Sequence, residues 1–562
     1  MPKTIEQIKA EGLGLDLTAA TVDGFKGISA DDLYRMKTFG LCSPRKQEQD
    51  FMIRIRVPGG AVTSAQAVRV AELAAGHAGG WVHLSTRQNF ELHMVAAEDG
   101  PMILDELEKV GLTARSSCGD TIRNIATCEC TGFCSTSVVD VRDWADLIAA
   151  HVRAEAVFFD HNLPRKVNVY LTDCVSCAEE ALFNDVSFAG APGPDGEPGF
   201  RVWVGGGQGG QQPMLGQLLK AWIPLSDALP TMRAVLQVLI DNGERAVRAR
   251  AKLKFLIRQR GFDWLQAEVE AALPAERARV GHLTPADADA EWARAGMSDA
   301  PDSQTAAQRR PGTFFVGCRL PRGVTPMLGE SGYYRLDVRV PLGEVSSQQL
   351  AWLAAAARSC ADRVLYLTKR QNIELRWLPG DMVEQATDWV DRLGLRRGET
   401  GGLVDVVPCV GMEYCPIGLT STQTVAALLI EHLEEQPPAP DVANLRLNVS
   451  GCPNSCAQHW VSDIGLSGLR IRDGKASVPA YELIVGGGHG EEARIGDVIG
   501  RVREQDAPLA VDAVVAAFRE RRQGQETMAA FVERTGAPAV GDLVAARLNV
   551  GVLIRQEERV QV

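Results

Sequence analysis

Nowhere in the 562 residues do about 18 apolar residues run together, the length a membrane-spanning helix needs, so a membrane is not an expected partner. The segment from Met1 to Leu17 lacks an unbroken apolar core, because Lys3, Glu6, Lys9 and Glu11 interrupt it. It does not read as a secretory leader, and a cytoplasmic protein is expected. Positive charge is not in excess. The 59 Lys and Arg against 71 Asp and Glu leave a net charge of −12, which argues against nucleic acid as the main partner. Cysteine is sparse, 13 in all, too dilute for a disulfide scaffold, and disulfides are disfavoured in the cytosol. A dinucleotide fingerprint is also missing: Gly205-Gly-Gly-Gln-Gly-Gly is followed by Gln-Gln-Pro, not by a helix. What is present is ordinary for a globular chain, 45% hydrophobic and 23% charged, and long enough for several packing units.

The chain repeats itself. Leu84-Ser-Thr-Arg-Gln-Asn-Phe-Glu-Leu92 returns as Leu367-Thr-Lys-Arg-Gln-Asn-Ile-Glu-Leu375. Val202-Trp-Val-Gly-Gly-Gly-Gln-Gly209 returns as Leu483-Ile-Val-Gly-Gly-Gly-His-Gly490, and the pair Cys128 and Cys134 as Cys409 and Cys415. Order and spacing are kept over three patches, so the chain reads as an internal duplication. In each half an alternating stretch (51–57; 334–340) predicts a half-buried strand, an Ala-rich stretch (64–78; 347–361) a helix, and the Arg-Gln-Asn stretch a second strand. The expected fold is α+β: two ferredoxin-like half-domains pairing into one sheet about a pseudo-twofold axis, each followed by a mixed α/β domain. The expected boundaries are a helical extension at 1–40, half-domains at 41–112 and 313–397, mixed domains at 113–281 and 398–562, and a linker at 282–312.

Cysteines cluster where chemistry needs them. Cys409-Val-Gly-Met-Glu-Tyr-Cys415 is followed by Cys452-Pro-Asn-Ser-Cys456. Two short-spaced pairs suit a cubane cluster, whose four irons each take a thiolate. The five residues between Cys409 and Cys415 exceed the usual zinc spacing. Ser450-Gly-Cys-Pro-Asn-Ser-Cys456, with Asp463-Ile-Gly-Leu466, the duplicated Arg-Gln-Asn and Leu163-Pro-Arg-Lys166, resembles the sirohaem-dependent nitrite and sulfite reductase family over nearly the whole chain. The resemblance implies a [4Fe–4S] cluster on Cys409, Cys415, Cys452 and Cys456, with Cys456 also the axial ligand of a sirohaem. It further implies that Arg87, Arg123, Lys166 and Asn168 face the substrate, and that Arg370 with Gln88, Asn89, Gln371 and Asn372 lie beside the sirohaem.

Reduction of an oxyanion needs cations that hold its oxygens and stabilise charge as bonds break. By local pattern Arg87 falls in a strand and Arg123 in a loop after a glycine, while Lys166 and Asn168, two apart, share one face of a strand. The two Gly-rich segments read either as tight turns or as backbone donors for cofactor carboxylates. Cys128, Cys134, Cys174 and Cys177 form a second thiol set with altered spacing, read as a relic of duplication rather than a second metal centre. The expected reaction is six-electron reduction of nitrite to ammonia. The neutral Asn168 resembles the nitrite-reducing branch, since family sulfite reductases typically carry Lys there, and sulfite reduction is the alternative. A cobalamin-pathway oxygenase of related fold is more remote. No flavin or nicotinamide module is evident, so the electron donor is expected to be a separate ferredoxin or flavoprotein.

Overall fold

The computed structural model describes residues 3–42, 50–134, 136–173, 180–210, 212–297, 311–317, 319–328, 330–398, 400–488 and 493–548. The chain divides into two compact units. The first comprises residues 1–207, 216–340 and 344–398; the second comprises 208–215, 341–343 and 399–562.

In the first unit each half-domain builds its own antiparallel sheet. One runs Leu41–Cys42, Phe51–Ile55, Phe90–Val95, Trp81–Leu84 and Glu344–Ser346; the other runs Val324–Pro326, Tyr333–Arg339, Ile373–Pro379, Val364–Leu367 and Ala61–Thr63. The two halves therefore do not merge into the single sheet expected. Each lends a three-residue strand to the other: Ala61–Thr63 pairs with Val364–Leu367, and Glu344–Ser346 with Trp81–Leu84. Helices Ser64–His77 and Ser347–Cys360 follow these lent strands directly and carry matching capping boxes, Thr63 with Gln66 and Ser346 with Gln349. Their apolar faces share one core with both sheets, including Val70, Leu73, Leu350 and Leu353.

The two Arg-Gln-Asn segments are turns, not strands. Gln88 and Gln371 take left-handed backbone angles, φ 55° and 62°. Each crosses to the other half. Gln88 Nε2 donates to the Leu367 carbonyl (3.0 Å) and Gln371 Nε2 to the Leu84 carbonyl (2.8 Å). Gln88 Oε1 also accepts from the Thr127 backbone N–H (2.9 Å), and Asn372 Oδ1 accepts from the Val340 N–H (2.9 Å). Buried amides thus clamp the duplicated turns to each other's strands.

A third sheet in this unit runs Gln217–Pro224, Pro198–Val204, Val186–Pro192, Val167–Thr172 and Ile122–Thr127, its last three strands parallel and the rest antiparallel. The N-terminal extension contains helices Ile5–Glu11, Leu17–Thr21 and Ala30–Arg35. Part of the range expected as a linker is ordered structure: helix Ala288–Arg294 ties to Val141–Ala154 through His151 Nδ1 and Glu291 (2.9 Å) and through Trp292 Nε1 donating to Asp146 (3.0 Å). Residues 298–310 lie outside the described residues.

The second unit repeats the third sheet's pattern. Val407–Pro408, Leu447–Ser450 and Ile464–Asp473 are parallel, and Ala476–Val485 and Asp497–Arg503 continue antiparallel. Helices Thr422–Glu435 and Ala507–Arg521 bury Leu429, Leu433, Val511, Val514 and Phe518 in the same core as this sheet. Among the described residues no helix is long and apolar enough to cross a membrane.

Candidate active site

The four cysteines of the second unit leave the same end of its parallel strands. Cys409 follows Val407–Pro408, Cys415 ends the helical turn Gly411–Tyr414, and Cys452 and Cys456 lie on the loop after Leu447–Ser450. These loops approach closely enough to require glycine. A Cβ on Gly411 (φ 54°) would lie 2.2 Å from Thr422 Oγ1, and one on Gly468 would lie 2.5 Å from the Gly451 carbonyl. The Gly451 N–H donates to Cys409 Sγ at 3.2 Å, and Gly210 donates to the Pro453 carbonyl at 2.9 Å, bracing the Cys452–Cys456 loop. Burial, then the Cys456 sulfur, pushes the Cys409 thiol up to about 12; the same two causes push Cys452 up to about 11, with Cys415 adding to them. Cys409, Cys452 and Cys456 therefore lie within one another's electrostatic reach, and Cys415 within reach of Cys452. Thiols so disfavoured as anions become thiolates when a cationic centre compensates them. The donor set fits a [4Fe–4S] cubane, whose corners are separate irons. Among the described residues no three His, Cys, Asp or Glu side chains converge as ligands of a single ion.

The first unit's copy is built differently. Cys128 Sγ donates to Asp173 Oδ1 at 3.0 Å and lies 3.0 Å from Thr131 Oγ1, while the Gly132 N–H donates to Asp173 Oδ2 at 2.8 Å. Burial, then Cys128 beside it, pushes the Asp173 carboxyl up to about 8. A carboxyl hydrogen-bonded to the thiol occupies the surroundings of Cys128, and Cys134 lies 3.2 Å from Thr136 Oγ1. Cys174 and Cys177 lie outside the described residues.

The oxyanion-binding candidates gather in the first unit. Arg123 lies in the strand Ile122–Thr127, not in the expected loop; Gly119 and Asp120 make the turn just before it. Its guanidinium donates to the carbonyls of Ser117 (2.5 Å) and Gly119 (3.0 Å), and its Nε is buried without a hydrogen-bond partner. Burial first, then Arg54, Arg87 and Arg165, holds Arg123 well below the usual guanidinium value. Arg87 projects from its turn, whose carbonyls at Arg87 and Gln88 accept from Asn124 Nδ2 at 2.9 and 3.3 Å. Lys166, half-buried, precedes the strand Val167–Thr172. Asn168 is buried on that strand, with its Oδ1 unpartnered and its N–H donating to Asp185 at 2.9 Å. Arg370, the duplicate of Arg87, bears instead on the buried Glu129, and Asn89, like Asn168, is buried with an unpartnered Oδ1.

Sequence reasoning missed two cations. Arg54, in the strand Phe51–Ile55, donates from Nη1 to the same Ser117 carbonyl as Arg123 (3.4 Å) and from Nε to Glu91 (2.8 Å). Burial alone would raise Glu91, but Arg54 and the histidines at 83 and 93 hold it well below the usual carboxylate range. Lys252, its pKa lowered by burial, lies 3.6 Å from Asp185 and within reach of Arg87 and Arg165. Arg165 itself is tied to the buried Asp120, which Arg248 and Lys9 also meet. Half-buried positive charge is thus concentrated around Arg123, an arrangement that suits a small anion.

Behind Arg54, Cys42 and Cys118 form a disulfide, contrary to the expectation of none. The two are far apart in sequence and no spacing pattern links them.

The whole arrangement has known relatives. Residues 118–276 and 399–551 match the nitrite and sulphite reductase 4Fe-4S domain, and residues 44–110 and 325–388 match the nitrite/sulfite reductase ferredoxin-like half domain. The chain is 30% identical to an assimilatory ferredoxin-dependent nitrite reductase of Haloferax mediterranei, over 94% of this chain and 90% of that one. It is 28% identical to a sulfite reductase [ferredoxin] of Mycobacterium tuberculosis, over 94% of each. The solved structure of the Mycobacterium tuberculosis NirA protein superimposes with a TM-score of 0.77 at 27% identity, covering 95% of this chain and 96% of that one. Duplicated half-domains, a four-thiol loop set and a half-buried cation cluster thus coincide with two domain models that each match twice, and the chain belongs to the nitrite and sulfite reductase family.

Proposed function

We propose that this oxidoreductase reduces nitrite to ammonia by six electrons, using a sirohaem and a [4Fe–4S] cluster, with ferredoxin as the separate donor. The observation that carries this reading is the half-buried Arg123 guanidinium, its Nε buried without a partner, set among Arg54, Arg87 and Arg165. Cys409, Cys415, Cys452 and Cys456 would hold the cluster, and Cys456, exposed on its loop, would be the thiolate shared with the sirohaem. When bound, these cofactors supply the electrons one at a time. The protein's own part is electrostatic. Arg54, Arg87, Arg123 and Lys166 draw the anion in, and Arg87, Arg123 and Lys166 offset charge on its oxygens as N–O bonds break. Arginine cannot give up a proton here, so proton donation falls to Lys166 Nζ, which its half-buried position lets solvent recharge.

Nitrite carries one negative charge and sulfite up to two, so the neutral Asn168 favours nitrite. Sulfite is the second reading, supported by the additional cation Lys252 and by the sulfite reductase relatives at 28% identity. Turnover of both anions with reduced ferredoxin tests the choice: kcat/KM is expected to be higher for nitrite, and a higher value for sulfite overturns it. Asn168→Lys is expected to shift the ratio of the two kcat/KM values toward sulfite, by about tenfold if a buried ion contact is gained. An unchanged ratio would remove residue 168 from the substrate's surroundings.

With Cys128 engaged by Asp173, the first thiol set carries no cluster in this proposal. Fully loaded protein is then expected to hold five irons per chain, four in one cubane and one in the sirohaem. Nine irons, falling to five in Cys128→Ala/Cys134→Ala, would establish a second cluster instead.

A further inference from the structure

The Cys42–Cys118 bond lies against a guanidinium of the cation cluster. Cys42 ends the edge strand paired with Phe51–Ile55, where it faces Met52. Cys118, almost fully buried, sits in the loop before the strand that carries Arg123. Arg54 Nη1 lies 3.1 Å from Cys118 Sγ, 3.9 Å from Cys42 Sγ and 3.4 Å from the Ser117 carbonyl. Arg123 donates to that same carbonyl. One covalent link therefore fixes the loop whose carbonyl aligns both guanidiniums, and its sulfurs form one wall around Arg54.

We propose that the Cys42–Cys118 disulfide is a positioning device for the anion site, so that anion binding depends on its oxidation state. In the oxidised state the sulfurs are uncharged and add nothing to the pairing of Arg54 with Glu91. A dithiol reductant delivers two electrons and two protons, breaks the S–S bond, leaves two thiols and is itself oxidised to a disulfide. The Cys118 thiol then lies beside a guanidinium, which favours its ionisation. The resulting thiolate would pair with Arg54, and the proton would go to solvent. Arg54, already opposed by Glu91, thereby gains a second anionic partner that makes its surroundings repel an anion, and the loop bearing Ser117 loses its tether. Both effects weaken anion binding more than they slow electron transfer.

The inference rests on the anion-binding reading above, so its test uses whichever of nitrite and sulfite the loaded enzyme turns over. Turnover of neither would defeat that reading, whereas turnover without redox dependence would defeat this inference alone. Protein purified in air without reductant should yield a Cys42–Cys118 cross-linked peptide in mass spectrometry. After treatment with a dithiol, both cysteines should become alkylatable. KM should then rise about tenfold, as expected for loss of one charge-assisted contact, with kcat changed less than about twofold. Cys42→Ser should reproduce the raised KM, and dithiol should then change nothing further. If Cys42→Ser does not fold, the dithiol comparison on the unaltered chain decides alone. Absence of the cross-linked peptide, or an unchanged KM once both thiols are shown to be alkylated, would overturn the proposal. So would equal losses in kcat and cluster content, which would mark general damage rather than positioning.

Discussion

Cys452→Ser is expected to yield protein with no cubane absorbance, no cluster-bound iron or acid-labile sulfide, and no turnover of nitrite or sulfite. Cys452 is buried, and its sulfur feels Cys456 and Cys415. A serine hydroxyl is a hard ligand with a far higher pKa than a thiol, so it leaves one iron corner without a matched donor. The close glycine approaches at Gly411, Gly451 and Gly468 restrict the loops that carry the remaining sulfurs, so these do not shift to fill the missing position. The hydrophobic core of the unit lies in the sheet and helices rather than in this loop, so circular dichroism should remain native-like. Cys456→Ser should also alter the haem spectrum, as expected of the thiolate shared between the two cofactors. Normal cluster spectra with normal turnover in Cys452→Ser would refute the ligand set.

The duplication was legible because periodicity and motif order survive divergence: helices expected at 64–78 and 347–361 occur as Ser64–His77 and Ser347–Cys360. The strand exchange was not legible, because Ala61–Thr63 and Glu344–Ser346 are too short to show a period and their partners are set by tertiary pairing. Arg87 was placed in a strand by extending the alternation of its neighbours. The left-handed Gln88 that makes the turn has no propensity signature, since it is held by Thr127 and Leu367 from elsewhere. Arg54 was not singled out on its alternating strand. A signal did exist: aligning Leu84 with Leu367 sets Arg54 against Asp337 and Glu91 against Glu374. A cation in one half facing an acid in the other is what divergence leaves when only one half keeps an anion site. In the second half Asp337 and Glu374 instead take up the nearby cations, Asp337 meeting Arg335 at 2.8 Å and Glu374 meeting Arg376 at 2.7 Å.

Arg123→Ala is expected to lower kcat/KM by about a hundredfold or more, the usual scale for removing a preorganised donor to a developing oxyanion. Arg54 and Arg87 remain, but Arg54 is tied to Glu91, and the Ser117 carbonyl loses one of its two donors. Arg123→Lys separates charge from shape. Burial and the guanidiniums of Arg54, Arg87 and Arg165 depress the pKa of a cation at this position. Arginine stays charged despite that depression, because its ordinary value is so high; lysine starts lower and is more readily neutralised. The ammonium is charged at low pH and loses its proton as pH rises, so kcat/KM of Arg123→Lys should fall across the neutral-to-alkaline range where the unaltered enzyme holds steady. A pH profile of the lysine variant parallel to that of the parent, or an alanine variant with unreduced kcat/KM, would mean that Arg123 supports the loop without touching the substrate.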